Sequence, residues 1–110
     1  MAGVSGYPTI LIFHGNREFQ VALTRNLQQK GYLVLDAQDA VEVLEIAIRD
    51  SRGIHLLLAE DHDDGQIMAA RLKRYRPQTN VMYISTDLQP SLILEQVSKV
   101  LAPSRQVSKG

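Results

Sequence analysis

The chain contains no cysteine and no tryptophan among its 110 residues. The absence of cysteine excludes disulfides, thiolate metal sites and cysteine nucleophiles. Only four prolines interrupt a sequence that is 45% hydrophobic, which suits one compact domain with a single core. Twelve basic and twelve acidic residues cancel, so no overall field directs the protein to nucleic acid or to an anionic membrane.

Long apolar runs are also missing. No stretch approaches the ~18 to 20 residues of a membrane span, and the N-terminus lacks the basic and apolar regions of a signal peptide. We therefore expect a cytoplasmic protein without a cofactor. A flexible leader is predicted at 1–8 and a flexible polar tail at 103–110, on either side of one domain at 9–102.

A charge-free apolar run from Ile54 to Ala59 stops abruptly at a group of carboxylates that extends from Glu60 to Asp64. A continuous apolar run, rather than an alternating one, is typical of a strand that is covered on both faces. In open parallel sheets, ligands and reactive groups collect beyond the carboxyl ends of such strands. Any chemistry of this chain is therefore expected between Glu60 and Asp64.

Strands and helices alternate along the whole chain. Apolar runs predict strands at 9–13, 32–37 and 81–84 besides the central one, and helices are predicted to begin after Asn16, at the Asp39–Glu42 capping box, at Asp64 or Gly65, and at Pro90. This alternation predicts right-handed crossovers and a parallel sheet with helices on both faces. The apolar face of the third helix is predicted to include Ile67, Met68, Ala70 and Leu72, and the last helix is predicted to face the core through Leu92, Ile93, Val97, Val100 and Leu101.

The order of elements and several short segments resemble the receiver domain of bacterial two-component response regulators. This resemblance implies a flavodoxin-like α/β fold with strand order 2-1-3-4 and a role in signal transduction, with another receiver or a histidine kinase as partner. The matching segments are Ile10–Ile12 as first strand, Gly31–Val34 with Ala37 as second, Leu56–Ala59 as third, Leu72–Pro77 leading to Val81, and the last helix from Pro90 to Leu101.

A working receiver resembling this chain carries two magnesium-binding acids after the first strand and a phosphate-accepting aspartate after the third. It also carries a serine or threonine after the fourth strand and a lysine before a proline after the fifth. Here His14 and Gly15 stand at the acidic pair, Glu60 at the phosphoacceptor and Gln89 at the lysine, and only Ser85 keeps the expected residue type. Because magnesium needs hard oxygen ligands, the resemblance implies a degenerate pseudo-receiver that is not phosphorylated, binds no metal and is not an enzyme. Glu60 is either a plain substitution or an imitation of the phosphorylated aspartate.

The sequence is also shorter than the receiver pattern. Only Thr86 to Gln89 separate the fourth strand from the last helix, whereas another parallel strand requires a crossover of about a dozen residues. We therefore expect the fourth helix and fifth strand to be missing, which leaves the fourth strand as an open edge. The expected consequence is a homodimer, or a pair with another receiver, through this edge and the last helix; the predicted interface residues are Val81, Met82, Tyr83 and Ile84.

Alternative interpretations remain for the polar residues. Strand order 2-1-3-4 makes His14 and Glu60 neighbours, either as a new His–carboxylate pair or, with Asp61, His62 and Asp63, as a metal site, against the simpler interpretation of a solvated loop. His14-Gly15-Asn16-Arg17 also resembles the His-Gly-Ser-Arg start of small tetrapyrrole chelatases, and His14-Gly15 alone resembles the phosphohistidine loop of mannose-type phosphocarriers. The alternative function is therefore a small enzyme or phosphocarrier that depends on His14.

Two further features favour structural roles. Tyr83 is interpreted as a core residue of an edge strand in preference to a partner-facing switch. A basic group in the third helix is interpreted as its outer face and C-terminal turn, where positive charge favours the helix dipole, rather than as a phosphate-binding face. This group consists of Arg71, Lys73, Arg74 and Arg76.

Overall fold

A computed structural model describes residues 8–49, 53–85 and 87–101. In these ranges four strands and four helices alternate, as the sequence predicts. They are β1 (Thr9–Phe13), α1 (Arg17–Gln29), β2 (Leu33–Ala37), α2 (Ala40–Arg49), β3 (Leu56–Glu60), α3 (Asp63–Tyr75), β4 (Asn80–Ile84) and α4 (Pro90–Val100). Most of the predicted leader and the whole predicted tail lie outside the described residues.

The strands form one parallel sheet in the order β2-β1-β3-β4, which confirms the predicted flavodoxin-like topology. In register, Ile10 of β1 lies opposite Val34 of β2 and Leu56 of β3, and Glu60 lies opposite Ile84 of β4. The two central strands are buried on both faces, because helices cover the sheet on each side.

The core consists of two apolar layers, one on each face of the sheet. The first layer joins the sheet to α2 and α3, and its fully buried members include Leu11, Val43, Leu57, Met68 and Leu72. The second joins the sheet to α1 and α4, and its members include Ile12, Leu23, Leu58, Ile84, Ile93 and Val97. Adjacent strand residues alternate between the layers, as the two-residue period of a strand requires.

Side chains fix the helix starts that the sequence predicts. Asn16 accepts a hydrogen bond from the backbone N–H of Phe19 at 3.0 Å. Asp39 accepts one from the N–H of Glu42 at 2.9 Å, while Glu42 accepts one from the N–H of Gln38 at 2.8 Å, which is the reciprocal arrangement of a capping box shifted by one residue. After α1, Gly31 takes a φ of 96°, which a residue with a side chain rarely adopts.

Two helices present a different face to the core than the sequence predicts. The third helix begins at Asp63 rather than at Asp64 or Gly65, and its buried residues are Gly65, Met68, Ala69 and Leu72, while Ile67 is 54% exposed. In α4, Ile93 and Val97 are buried, but Leu92 is 49% and Val100 40% exposed. These apolar side chains lie on the side of each helix, next to its buried face. Apolar spacing in the sequence does not show whether another element covers that side.

The connection between β4 and α4 spans residues 85–89, with residue 86 undescribed, and contains no strand among its described residues. Within the described sheet, β4 pairs with β3 alone and is therefore an edge strand. The predicted absence of a fourth crossover unit is confirmed in the described part of the chain.

Candidate functional site

His14 lies at the end of β1 with its ring turned into the protein. Its exposed fraction is 5%, and its ring centroid lies 4.8 Å from that of Phe19. Nδ1 accepts a hydrogen bond from the backbone N–H of Asn16 at 2.9 Å, which assigns the proton of the neutral ring to Nε2. Nε2 is buried and has no hydrogen-bond partner among the described residues. His14 is therefore a helix-start side chain rather than a solvated loop residue.

Burial lowers the pKa of His14 below its ordinary value of 6.5, and the nearby Glu60 carboxylate opposes this effect in part. Burial dominates because an imidazolium loses its hydration inside the protein and gains no hydrogen-bond acceptor at Nε2. The ring is therefore neutral near pH 7. Neither ring nitrogen faces solvent with a free lone pair, since Nδ1 is already bonded to the backbone.

The Glu60 carboxylate binds the loop that follows β1. Its Oε1 accepts a hydrogen bond from the backbone N–H of Gly15 at 3.0 Å. A Cβ on Gly15 would lie 3.1 Å from the same oxygen, so a side chain at this position would push against the carboxylate. His14 and Glu60 are near neighbours, as the strand order predicts. The bond from Gly15, which the sequence did not predict, joins β3 to the β1–α1 loop.

Gly65 is a structural requirement that the sequence pattern does not reveal. A Cβ on this residue would lie 2.0 Å from the carbonyl oxygen of Glu60 and 3.0 Å from its carbonyl carbon. Backbone atoms cannot move away as a flexible side chain can. Only glycine therefore allows α3 to begin after a connection of two residues and to pack directly on the end of β3.

The remaining acidic residues after β3 do not assemble into a metal cage. Asp61, His62, Asp63 and Asp64 are all exposed. His62 occupies the N-cap position of α3 without a side-chain capping bond, and the two aspartates in the first turn favour the helix dipole. Across the described ranges, no group of three or more His, Cys, Asp or Glu side chains is arranged to hold a metal ion.

The other two positions taken from the receiver pattern lie after β4. Ser85 directly follows the strand and is half-buried, and its carbonyl accepts a hydrogen bond from the N–H of Leu88 at 3.1 Å. Gln89 is exposed at the N-cap of α4, also without a side-chain capping bond. These positions lie at the carboxyl edge of the sheet, as predicted, but no hydrogen bond joins either side chain to Glu60.

Two of the basic residues, Lys73 in the last turn of α3 and Arg76 directly after the helix, donate hydrogen bonds to backbone carbonyls. Arg76 donates from Nε and Nη2 to the carbonyl oxygen of Ala47 at 2.9 and 2.7 Å, near the end of α2. Lys73 donates from Nζ to the carbonyls of Pro77 and Thr79 at 3.2 and 3.1 Å. These contacts support a structural role for Lys73 and Arg76.

The free edge of β4 is the second candidate site. Asn80 donates its N–H to the carbonyl of His55 at 3.1 Å, and Ile84 accepts from the N–H of Asp61 at 2.8 Å. In a parallel pair, alternate residues direct both backbone groups to the same neighbour. Asn80, Met82 and Ile84 therefore face β3, and the backbone groups of Val81 and Tyr83 face outward.

Exposed apolar side chains surround this edge. Tyr83 is 43% exposed, so its interpretation as a core residue is wrong, and Leu88 and Leu92 are exposed close by in the chain. Val100 and Tyr75 line a cavity of about 540 Å³ that also contacts Asn80 at the start of β4. We call this region the β4 surface: the outward edge of β4 with Tyr83, Leu88, Leu92 and Val100.

Comparison with known proteins finds relatives of the fold only. No family model and no curated protein matches the sequence. Solved structures do match: a response regulator from Thermotoga maritima superposes with a TM-score of 0.76 at 18% identity, over 88% of this chain and 99% of that one. The chain has a receiver-like fold.

Two other structures define the reach of this likeness. The receiver domain of the hybrid histidine kinase CckA matches with a TM-score of 0.74 at 23% identity, over 84% of this chain and 98% of that one. An adenylate cyclase structure from Rhodopirellula baltica matches with a TM-score of 0.77 at 12% identity, over 94% and 93%. Identities this low establish the fold, and function has to be argued from the site. Among the described helices, none has the length and apolarity needed to cross a bilayer.

Proposed function

We propose that this chain is a receiver-like signalling domain that acts through protein–protein contact and has no phosphotransfer chemistry. The receiver-like fold supports the signalling role, and the substitutions at the carboxyl ends of β1 and β3 support the loss of chemistry. The hydrogen bond from Gly15 N–H to Glu60 Oε1 is the observation that carries the proposal.

That bond matters because of what phosphoryl transfer to a carboxylate requires. Magnesium and a cation must neutralise the phosphate while an in-line path to the carboxylate stays open. Here an uncharged glycine stands where the resemblance expects a metal-binding acid, and its N–H occupies the carboxylate instead. The neighbouring His14 is buried and neutral, so it offers magnesium neither charge nor an oxygen ligand.

The geometry also argues against the alternative of a His14-dependent enzyme or phosphocarrier. Such a protein needs a ring nitrogen that reaches its substrate. Nδ1 of His14 accepts the Asn16 N–H, and Nε2 is enclosed. No described contact favours this second function.

Phosphorylation tests the proposal directly. The protein is incubated with acetyl phosphate and magnesium, and separately with a phosphohistidine-carrying donor protein, then quenched and measured by intact mass. A receiver with the complete acidic set serves as positive control in the same reaction. We expect no phosphoryl mass gain from either donor. A gain that maps to Glu60 or His14 would overturn the proposal.

The β4 surface supports contact as the mode of action. Unpaired strand groups flanked by apolar side chains are a template for another chain, and natural proteins usually protect such edges with charge, proline or a covering element. Residues 80–85 carry no charge and no proline. The proposed contact region is therefore the β4 surface rather than the carboxyl ends of the strands.

A further inference from the structure

On the outward side of β4, the backbone groups available for pairing with another strand belong to two residues. Val81 and Tyr83 direct their N–H and C=O groups away from β3, because their neighbours Asn80 and Ile84 are bonded to the β3 side. On either side of this segment, three backbone groups are already hydrogen-bonded within the chain. Thr79 donates its N–H to Arg76 at 3.0 Å and accepts from Lys73 through its carbonyl, while the Ser85 carbonyl accepts from Leu88.

We propose that two copies of the chain join their sheets by antiparallel pairing of their β4 strands about a two-fold axis at Met82. This rests on the proposed function, since it names the partner that the contact surface takes. The product is one continuous sheet, with the β2 strands at its two outer edges.

The available groups select the register. Outward residues can pair symmetrically with the axis at Val81, at Met82 or at Tyr83. An axis at Val81 pairs Tyr83 with Thr79, whose N–H and carbonyl are both already bonded. An axis at Tyr83 pairs Val81 with Ser85, whose carbonyl is already bonded to Leu88. An axis at Met82 pairs Val81 of each copy with Tyr83 of the other, and each pair exchanges both of its backbone hydrogen bonds.

The side chains agree with this register on both faces of the sheet. Val81 packs on the α2/α3 layer and Met82 on the α1/α4 layer, so Tyr83 shares the face of Val81. Each Tyr83 then lies opposite Val81 of the other copy, an aromatic–β-branched pair of the kind that stabilises antiparallel strands. The two Met82 side chains meet on the other face.

The flank of α4 completes the contact. Leu92 and Val100 occupy helix positions eight residues apart and therefore share one side of α4. Leu94 and Ser98 line the opposite side with Lys30 of the α1 end, and Val100 lines the cavity beside Asn80. The Leu92–Val100 side thus faces β4 and adds apolar area that a short strand by itself does not supply, since stable dimers bury about 800 Å² per partner.

Charge does not oppose the association. Residues 80–85 of the two copies bring no ionised group to the axis. A like-charged pair across an interface costs several kcal/mol, and charge is one of the features by which natural sheet edges resist pairing. The β4 edge lacks this protection.

Single-cysteine cross-linking tests the register, because the native chain has no cysteine. The variants Val81→Cys, Met82→Cys and Tyr83→Cys are each oxidised mildly in the folded state. At a Met82 axis the two Cα atoms lie about 4.5 Å apart, within disulfide range, whereas residues 81 and 83 lie about 7 to 8 Å from their own copies. We expect rapid disulfide dimers for Met82→Cys and much slower ones for the other two. Faster cross-linking at 81 or 83 overturns the register.

Sedimentation equilibrium tests the dimer itself. The native chain is expected to dimerise, and Tyr83→Lys is expected to weaken the dimer by about 100-fold, because it places two ammonium groups near the axis. Ile48→Lys is the matched control, since Ile48 is exposed on α2 away from β4, and it should dimerise like the native chain. A monomeric native chain at high micromolar concentration, or equal weakening by both variants, refutes the dimer. Neither result touches the phosphorylation test, so the two proposals fail separately.

Discussion

The two outer strands of the sheet, β2 and β4, have the same burial pattern but different edges. Each runs from an exposed first residue through two half-buried ones to an exposed fourth and a buried last residue. In β2 the exposed fourth residue is Asp36, whereas in β4 it is Tyr83. Because Leu33 donates its N–H to Pro8, the alternate residues Val34 and Asp36 direct their backbone groups outward.

This difference decides which edge can accept a partner. Any strand added to β2 would have to pair against Asp36 and desolvate its carboxylate, a common protection of natural edges. A strand added to β4 meets only uncharged residues. The carboxyl ends of β1 and β3 differ from both edges. There, Glu60 accepts a hydrogen bond from the Gly15 N–H. Among these regions of the described chain, β2 and β4 both direct strand groups outward, but the β4 edge alone does so without an ionised side chain on the strand.

The largest expected effect on stability lies at the carboxyl end of β3, where Gly65 packs on the strand. Gly65→Ala would place a Cβ 2.0 Å from the Glu60 carbonyl, and forcing the backbone apart is expected to lower the free energy of unfolding by about 3 kcal/mol or more. Chemical denaturation followed by circular dichroism measures the change. Gly15→Ala is the matched control, because its Cβ would meet only the flexible Glu60 side chain and should cost about 1 kcal/mol or less. Equal losses in both variants would mean that α3 does not need the close approach.

The second prediction is that the β2 edge will also pair with another chain once its protecting charge, Asp36, is removed. In a Tyr83→Lys background, which blocks the β4 edge, adding Asp36→Val should create new self-association, with a dissociation constant at least ~10-fold lower than the background. Sedimentation velocity over a concentration series measures it. Glu45→Val makes the same change in charge and apolarity at an exposed position of α2, and it should leave the self-association of the background unchanged. Association in both variants would assign the effect to surface hydrophobicity rather than to the strand edge.

The third prediction concerns the pH dependence of folding stability that arises from His14. The folded-state pKa of His14 lies below 6.5, so the unfolded chain binds the proton more readily. Stability from the neutral ring is therefore complete above pH 6.5 and is lost as the pH falls from there through the folded pKa; Glu60 reduces the loss. His14→Asn should flatten this slope, because Asn accepts the Asn16 N–H without titrating. Unfolding curves from pH 7.5 to 5 test it, and an unchanged slope would assign the acid sensitivity to other groups.

The smallest effect is expected at Glu60. Glu60→Gln keeps an oxygen that accepts the Gly15 N–H, so the free energy of unfolding should change by no more than ~0.5 kcal/mol, whereas Glu60→Ala loses the bond and about 1 kcal/mol. Dimerisation should be unaffected by both, since Glu60 is not part of the β4 surface. If Glu60→Gln weakened the dimer, the carboxyl ends of β1 and β3 would be energetically coupled to the β4 edge. The two regions would then not be independent.

The fold was predictable because its signals are local. Buried strands are continuous apolar runs, and the helix starts at Asn16 and at Asp39–Glu42 depend on side chains within four residues of the backbone that they bind. Helix flanks were less predictable. Leu92 and Val100 have apolar spacing and yet remain exposed, because whether a flank is covered depends on a neighbour elsewhere in the chain.

The candidate site divides in the same way. The sequence placed His14, Gly15 and Glu60 at one edge through strand order, but it did not predict that His14 turns inward or that Gly15 binds Glu60. Its only signal for Gly65 was a glycine at the predicted start of the third helix. The clash that requires this glycine involves the backbone of the preceding strand, which no periodicity encodes.

By itself, the sequence determined the alternation of strands and helices, the parallel sheet and the uncharged composition of β4, because each depends on residue type and short-range spacing. The tertiary structure decided which backbone groups of β4 face outward, which flank of α4 is bare and which polar groups at the strand ends are already satisfied. These features depend on the register between strands that are distant in the chain. Register is set when the core packs, so only the assembled sheet identifies Val81 and Tyr83 as the free positions.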